Sequence, residues 1–305
     1  MKSLRFSASI LPVAIMTLVL GLTAHAQATR TWVSGVGDDA NPCSRTAPCK
    51  TFPGAISKTA PGGEIDCLDP GGFGAVTITK SITIDCNAGV GSVLVSGTNG
   101  IVVQAAATDV VYIKNLNING IVNSVTAGIN GIRFLSGKAL ILRNVDIFGF
   151  SQNCVDAETG AASAAVTIES STFTNCVTGV NIATTGTALL NATLHNVHIG
   201  LTTTGVDAGN GSRVNIRDSV ISGATTGIKQ ETGTPVLTLT GSTLAFTATA
   251  IQSVAGGFVA VSGNSFTDNT TIVLNTNGGT IVSGGDNLTF GNVALGAASG
   301  PVGKI

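Results

Sequence analysis

The chain has 305 residues with a formal net charge of −1, and only 10% of its residues are charged. Nucleic-acid binding requires a cationic surface, so this balance argues against a nucleic-acid partner. Hydrophobic residues make up 43% of the chain and 40 residues are glycine, which fits a repetitive all-β fold with many tight corners better than an α/β fold.

The first 26 residues have the pattern of a secretory signal peptide. Lys2 and Arg5 form a charged start, and Ile10–Leu22 forms an apolar segment that is too short to span a membrane. Ala24–Ala26 provides small residues for cleavage near Ala26. We therefore expect an exported protein, periplasmic or extracellular, with no membrane span after signal cleavage.

Residues 27–64 are predicted to form an N-terminal cap. This stretch resembles the opening of exported right-handed β-helix proteins of the pectate-lyase-like superfamily, which share the pectin lyase fold. The residues that carry the resemblance are Val33, Ser34, Gly37, Asp39, Asn41, Pro42, Pro48, Lys50, Thr51, Ala55, Ile56, Gly62, Gly63 and Ile65. The resemblance implies a strand, a loop and a short helix near Phe52–Thr59 that shield the open end of a solenoid core.

Six cysteines in an exported chain indicate disulfides. Spacing suggests Cys43 with Cys49, Cys67 with Cys86 and, less directly because their offsets differ, Cys154 with Cys176. A cysteine metal site is the rival interpretation. Because the chain has no Cys-x2-Cys pair and only three histidines, we predict neither a metal nor a cofactor.

From residue 65 onward one apolar pattern returns every 22 to 29 residues, which is typical of a solenoid. Its anchor positions are Ile113, Leu142, Ile168, Leu194, Ile216, Leu239 and Val261. Apolar residues alternate before each anchor, which predicts a strand, and the alternation breaks after it. The residue two after the anchor suits a left-handed corner, and these residues are Asn115, Asn144, Ser170, Asn196, Asp218, Gly241 and Gly263.

A second apolar file follows each strand pair, and glycine precedes five of its members. Its members are Ile101, Ile132, Val155, Val180, Val206, Ile228, Ile251 and Ile272. Three short strands per coil predict an all-β, single-stranded right-handed parallel β-helix over residues 65–290, with a loose C-terminal cap or tail at 291–305. The alternative is an antiparallel sandwich or barrel, which Asn-Gly pairs such as Asn99-Gly100 would favour as hairpin turns.

Ionisable side chains are densest on the outward positions of the middle coils. Asp146 and Glu169 are candidates for an acid and base pair, or for a nucleophile and acid. His195 could shuttle a proton and Arg217 could bind a sugar carboxylate. The simpler alternative is a solvated strand face on which alternating charges pair weakly.

Motifs expected of catalytic relatives are missing from these coils. The Asn-Thr-Asp, Asp-Asp, Gly-His-Gly and Arg-Ile-Lys motifs of polygalacturonase-like members are absent, and no set of six oxygens for calcium can be assembled. Our first hypothesis is therefore non-catalytic binding of a polysaccharide or cell-surface ligand, or an envelope scaffold.

The alternative is a carbohydrate-active enzyme, a polysaccharide lyase or glycoside hydrolase, that uses the middle-coil charges. Ice or mineral binding by threonine ladders is a third hypothesis, but runs such as Thr77, Thr79 and Thr83 look short and scattered. The sequence indicates no particular oligomeric state, and enzyme or binding protein both stay open.

Overall fold

The structure is a computed structural model that describes residues 27–87, 91–160, 162–296 and 298–301. The predicted signal peptide, residues 1–26, lies outside the described residues. All pairings between named strands in the described part are parallel, and each joins one coil to the next. The chain is therefore a right-handed parallel β-helix, as the repeat predicted, and the antiparallel alternative is wrong.

Each coil contributes to three ladders of strands. The first ladder holds Ala28–Val33, Thr59–Cys67, Ile82–Asp85, Val110–Asn119, Ala139–Phe148, Ala164–Glu169, Leu190–His195, Ser212–Arg217, Val236–Thr240, Phe258–Ser262, Thr280–Ser283 and Gly300–Pro301. The second ladder holds Gly71–Gly72, Gly91–Leu94, the later halves of Val110–Asn119 and Ala139–Phe148, Thr172–Thr174, His198–Gly200, Val220–Ser222, Thr243–Ala245, Ser265–Thr267 and Leu288–Phe290. The third ladder holds Val76–Ile78, Ile101–Gln104, Ile132–Ser136, Asn153–Thr159, Thr178–Thr184, Thr204–Ala208, Thr226–Gln230, Thr249–Ser253 and Thr271–Asn275.

The anchor residues stack inside the first ladder. Ile113 is the register partner of Leu142, and Leu142 is the partner of Ile168. All three are fully buried. Aligned apolar side chains one coil apart therefore form a dry core, which is the main source of stability in such a fold.

The second apolar file is also in register, with one correction at its end. Val206, Ile228 and Ile251 are successive partners, but Ile251 lies opposite Val273 rather than the predicted Ile272. The reason is that Thr249 pairs with Thr271, which places Ile272 at the position that glycine holds in earlier coils.

The corner two residues after each anchor is left-handed, as the residue types predicted. Asn115 has a φ of 56° and Asn144 a φ of 52°. The side-chain amide of Asn144 donates to the Oδ1 of Asn115 at 2.7 Å, and that of Asn115 donates to Asp85 at 2.7 Å. Stacked polar side chains therefore join successive coils along the corner between the first and second ladders.

Glycines directly before the second apolar file allow successive coils to pack closely, and we name them the glycine file: Gly100, Gly131, Gly179, Gly205 and Gly227. A Cβ added to Gly179 would lie 2.5 Å from the Cγ2 of Ile199 and 2.6 Å from the carbonyl oxygen of Gly205. No other residue type fits between these atoms without moving the backbone of the next coil. The glycines before the second apolar file are thus explained by packing.

In the described part of the N-terminal end a helix, α1, spans Phe52–Lys58 and matches the helix implied near Phe52–Thr59. Thr51 caps it by accepting a hydrogen bond from the amide of Gly54 at 3.0 Å, and proline stands in its first turn. Phe52 is fully buried and packs against Phe73, with ring centroids 5.3 Å apart. The helix therefore covers the apolar end of the first coil.

All three predicted disulfides form. The Cα–Cα distances are 4.6 Å for Cys43–Cys49, 4.7 Å for Cys67–Cys86 and 5.6 Å for Cys154–Cys176. Among the described residues, no helix has the length and apolarity needed to cross a bilayer. The disulfides fit a protein that folds in an oxidising compartment.

Candidate functional site

Three of the four predicted site residues stand in one file on the outer face of the first ladder. Glu169 is the register partner of His195, and His195 is the partner of Arg217. The Oε2 of Glu169 accepts a hydrogen bond from the Nε of Arg143 at 2.9 Å, and the Nη2 of Arg143 lies 2.7 Å from the same oxygen. This ion pair is the contact expected of a solvated face with alternating charge.

The fourth candidate, Asp146, lies beyond the left-handed corner. It is the register partner of Thr172 in the second ladder and accepts a hydrogen bond from Asn117 at 3.3 Å. Burial raises the pKa of Asp146. Among the described residues, no hydrogen bond or ion pair joins Asp146 to Glu169, so the two carboxyls do not form a connected pair.

His195 contacts a different carboxylate. The Nε2 of His195 lies 3.4 Å from a carboxylate oxygen of Asp218, whose side chain is 61% exposed. The described part of the chain contains no group of three or more His, Cys, Asp or Glu side chains that could hold a metal ion. The charged side chains of the middle coils therefore contact one another in pairs, Arg143 with Glu169 and His195 with Asp218, rather than converging on a pocket.

A polar file that the sequence analysis missed runs along the outer face of the third ladder. Its members, in register, are Arg133, Asp156, Asn181, Asp207, Lys229 and Gln252. Asp156 is almost fully buried; Arg133 Nε lies 3.3 Å from its Oδ2, and the amide of Asn181 donates to its Oδ1 at 2.9 Å. These contacts fix Asp156 in a structural role.

Asp207 is different, because one of its carboxylate oxygens is buried and accepts no hydrogen bond. Burial raises the pKa of Asp207 to about 6, against the opposing charge of Lys229. Lys229 itself contacts the carboxylate of Glu231, and this hydrogen bond raises the pKa of Lys229. Lys229 therefore remains a cation and is a poor general base.

Beside the polar file lies a row of threonines, which we name the threonine face. Its members are Thr178, Thr204, Thr226, Thr249 and Thr271, each the register partner of the next. All five are partly exposed. Hydroxyl groups thus repeat at the coil spacing of ~4.8 Å. The signal in the sequence was a threonine directly before the glycine in three successive coils, at Thr178, Thr204 and Thr226.

The threonine face is bordered by a second left-handed corner that carries large apolar side chains. Leu201 has a φ of 54° and Phe246 a φ of 56°, and their exposed fractions are 64% and 65%. Branched or bulky residues seldom adopt this conformation, and strain of this kind concentrates at functional sites. In neighbouring coils the same corner position is occupied by Asn175 and Gly223, which also have positive φ.

A groove of about 490 Å³ opens at one end of the threonine face. It is lined by Val122, Phe150, Val177, Leu201 and Thr203, among others. Val122 belongs to the segment that connects the strands Val110–Asn119 and Ile132–Ser136. Apolar side chains and hydroxyls therefore meet there without a charged group in the lining.

No family model and no curated protein matches the chain. Its structure is similar to that of pectate lyase Pel9A, with a TM-score of 0.68 and 14% identity over 90% of this chain and 78% of that one. It is similar to an alginate lyase from Paenibacillus sp. str. FPU-7, with a TM-score of 0.66 and 16% identity over 90% of this chain and all of the other (100%).

A GH136 lacto-N-biosidase from Eubacterium ramulus gives a TM-score of 0.53 and 11% identity, over 90% of this chain and 68% of that chain. Identities this low establish the fold alone. The parallel ladders, the capped N-terminal end and these structural likenesses together show that the chain has the fold of the pectate-lyase-like superfamily.

Proposed function

We propose that this chain is an exported, non-catalytic protein that binds a polysaccharide along the threonine face. The observation that carries the proposal is the five-threonine row beside the exposed side chains of Leu201 and Phe246. A hydroxyl donates one hydrogen bond and accepts two, as the hydroxyls of a sugar do. A surface that repeats coil by coil suits a polymer that repeats sugar by sugar.

The apolar side chains supply the second part of such a site. Binding sites for organic ligands combine apolar contact area with a few placed polar groups. Leu201 and Phe246 project from their corners beside the threonines, and the groove lined by Val177 extends the same surface. The neighbouring Asp207 and Lys229 add one carboxyl and one ammonium group to the edge of the face.

The similar structures are a pectate lyase, an alginate lyase and a lacto-N-biosidase, and they support a carbohydrate ligand in a general way. The contacts of the middle-coil charges favour binding over catalysis. Glu169 is engaged by Arg143, and Asp146 stands on the other side of the corner. A carbohydrate-active enzyme remains the competing hypothesis, and the experiment below separates the two.

The test is affinity electrophoresis of the purified mature protein in gels that contain neutral or acidic polysaccharides. The double variant Thr204→Ala/Thr226→Ala should lose at least ~10-fold in affinity, because each hydroxyl makes a hydrogen bond in a partly desolvated row. The matched control is Thr193→Ala/Thr238→Ala, which removes the same groups from the outer face of the first ladder and should bind as the parent does.

Catalysis is tested with the same preparations. We expect no release of reducing sugar from any polysaccharide that the protein binds. Release that disappears in Glu169→Gln or Asp146→Asn would overturn the proposal in favour of the enzyme. Unchanged binding by Thr204→Ala/Thr226→Ala would also overturn it.

A further inference from the structure

A separate cleft of about 500 Å³ lies beside the N-terminal cap, on the outer face of the first ladder. Trp32, the only tryptophan of the chain, is partly exposed in it. Trp32 is the register partner of Asp66, and Asp66 is the partner of Asp85. The floor of the cleft is therefore an indole followed by two carboxyls at the strand spacing.

Two disulfides hold the walls of this cleft. Cys43–Cys49 closes the loop that carries Arg45, and the backbone of Trp32 exchanges hydrogen bonds of 2.9 Å with Cys43 and Cys49. The residues directly after the two aspartates form the Cys67–Cys86 bridge. The lining groups are thus positioned before any ligand arrives, which lowers the entropy cost of binding.

The charges inside the cleft are partly paired with one another. Arg30 contacts the carboxylate of Glu64 and lies 3.5 Å from that of Asp66. The Oδ2 of Asp85 lies 3.3 Å from the ammonium of Lys114. Burial, together with the charge of Glu64, raises the pKa of Asp66 to about 6. Because Arg30 and Lys114 are already engaged, the cleft offers a ligand more carboxylate oxygens than cationic groups.

We propose that this cleft binds a neutral sugar, whose ring packs on Trp32 and whose hydroxyls donate to Glu64, Asp66 and Asp85. An indole offers a large apolar surface at low entropy cost, and carboxylates are strong acceptors for hydroxyl donors. An acidic sugar would place its own carboxylate beside Asp66 and Asp85, and this like-charge contact is unfavourable. The cleft thus selects neutral sugars over uronic acids.

This site is independent of the threonine face, which belongs to the third ladder. The sole tryptophan makes it directly observable, because intrinsic indole fluorescence reports on this cleft alone. The experiment titrates the mature protein with cellohexaose, maltohexaose and mannohexaose, and with a galacturonic acid hexamer. We expect a saturable change in Trp32 emission with at least one neutral oligosaccharide and none with the acidic hexamer.

Calorimetry on variants assigns the response to named groups. Asp66→Asn replaces an acceptor on the floor, and Arg45→Ala removes a hydrogen-bond donor from the wall of the cleft, so each should weaken binding of the neutral sugar by ~10-fold. Arg45 is exposed on the wall loop, so its variant should fold even where a floor variant does not. The control Asp218→Asn installs, at a distant corner, the residue that other coils use there, and it should leave affinity unchanged. Thr204→Ala/Thr226→Ala should also leave the Trp32 response intact.

Four outcomes would overturn the assignment. The first is the absence of a saturable Trp32 response to every neutral oligosaccharide. The second is a stronger response to the acidic hexamer. The third is an affinity that survives both Asp66→Asn and Arg45→Ala. The fourth is loss of the response in Thr204→Ala/Thr226→Ala, which would place the ligand on the threonine face instead.

Discussion

Asp207 and Lys229 face each other as register partners in adjacent coils of the third ladder, yet a buried oxygen of Asp207 accepts no hydrogen bond. Burial raises the pKa of Asp207 to about 6, and the hydrogen bond to Glu231 raises the pKa of Lys229. Burial of an acceptor without a partner costs stability, and it does so most when the carboxyl is charged.

Replacing Asp207 by asparagine should therefore stabilise the protein at high pH. The folded pKa of Asp207 is about 6, raised from 3.8, so the folded state binds more protons than the unfolded state between those values. Stability consequently falls as pH rises through this window. The Asp207→Asn variant does not lose stability in this way. Its free energy of unfolding should exceed that of the parent by up to about 3 kcal/mol at pH 8 but by little at pH 3.5.

Chemical denaturation at a series of pH values from 3.5 to 8 measures this difference. The companion variant Lys229→Gln removes a charge that lowers the pKa of Asp207, so it should be less stable than the parent at pH 8. Parallel pH profiles for the parent and Asp207→Asn would contradict the assignment.

The left-handed conformation of Phe246 predicts a substitution with opposite effects on stability and binding. Phe246→Gly removes the steric cost of φ = 56° and loses little burial, because the side chain is 65% exposed. We expect a gain of about 0.5–1 kcal/mol in the free energy of unfolding. Affinity for polysaccharide should fall, because the apolar contact beside the threonine face disappears.

Urea denaturation and affinity electrophoresis provide the two readouts. Phe258→Gly is the matched control, since Phe258 is also exposed but lies in a regular strand of the first ladder. It should lose stability and keep its affinity. A Phe246→Gly variant that is destabilised as much as the control would show that the corner is not strained.

Replacing a residue of the glycine file by alanine, which adds only one methyl group, should greatly reduce the stability of the protein. In Gly179→Ala the new Cβ would lie 2.5 Å from Ile199 and 2.6 Å from the backbone oxygen of Gly205. The neighbouring coil must shift, and we expect a loss of about 2–4 kcal/mol. Gly72→Ala serves for comparison, because its Cβ would meet only Ser92 at 3.8 Å. Equal thermal midpoints for the two variants would refute the packing argument.

Sequence alone predicted the parts of this fold in which residue type and local geometry agree. Asn115 and Asn144 tolerate left-handed backbone, and they occupy it. Leu201 and Phe246 occupy the same conformation but are types that avoid it, so the second corner was missed. It could have been found by spacing, since Asn175, Leu201 and Phe246 each lie seven residues after an anchor.

The candidate sites depended on pairings that no local pattern reveals. Thr-Gly pairs mark Thr178, Thr204 and Thr226 in the sequence, but Thr249 and Thr271 precede other residues, so the whole threonine face is visible only from the register of the coils. The cleft near the cap requires Trp32 to meet Asp66, thirty-four residues later in the chain. By contrast, Glu169, His195 and Arg217 can be aligned from the sequence, because each directly follows an anchor residue.

The Cys154–Cys176 bridge divides the solenoid into two segments that should respond differently to force. All six cysteines are paired at or before residue 176, so the later coils are held to one another only by hydrogen bonds and side-chain packing. Each coil contacts only its neighbours. Under mechanical load or protease attack the later coils can peel away one at a time, and the covalent clamp at Cys154–Cys176 is where that fraying stops.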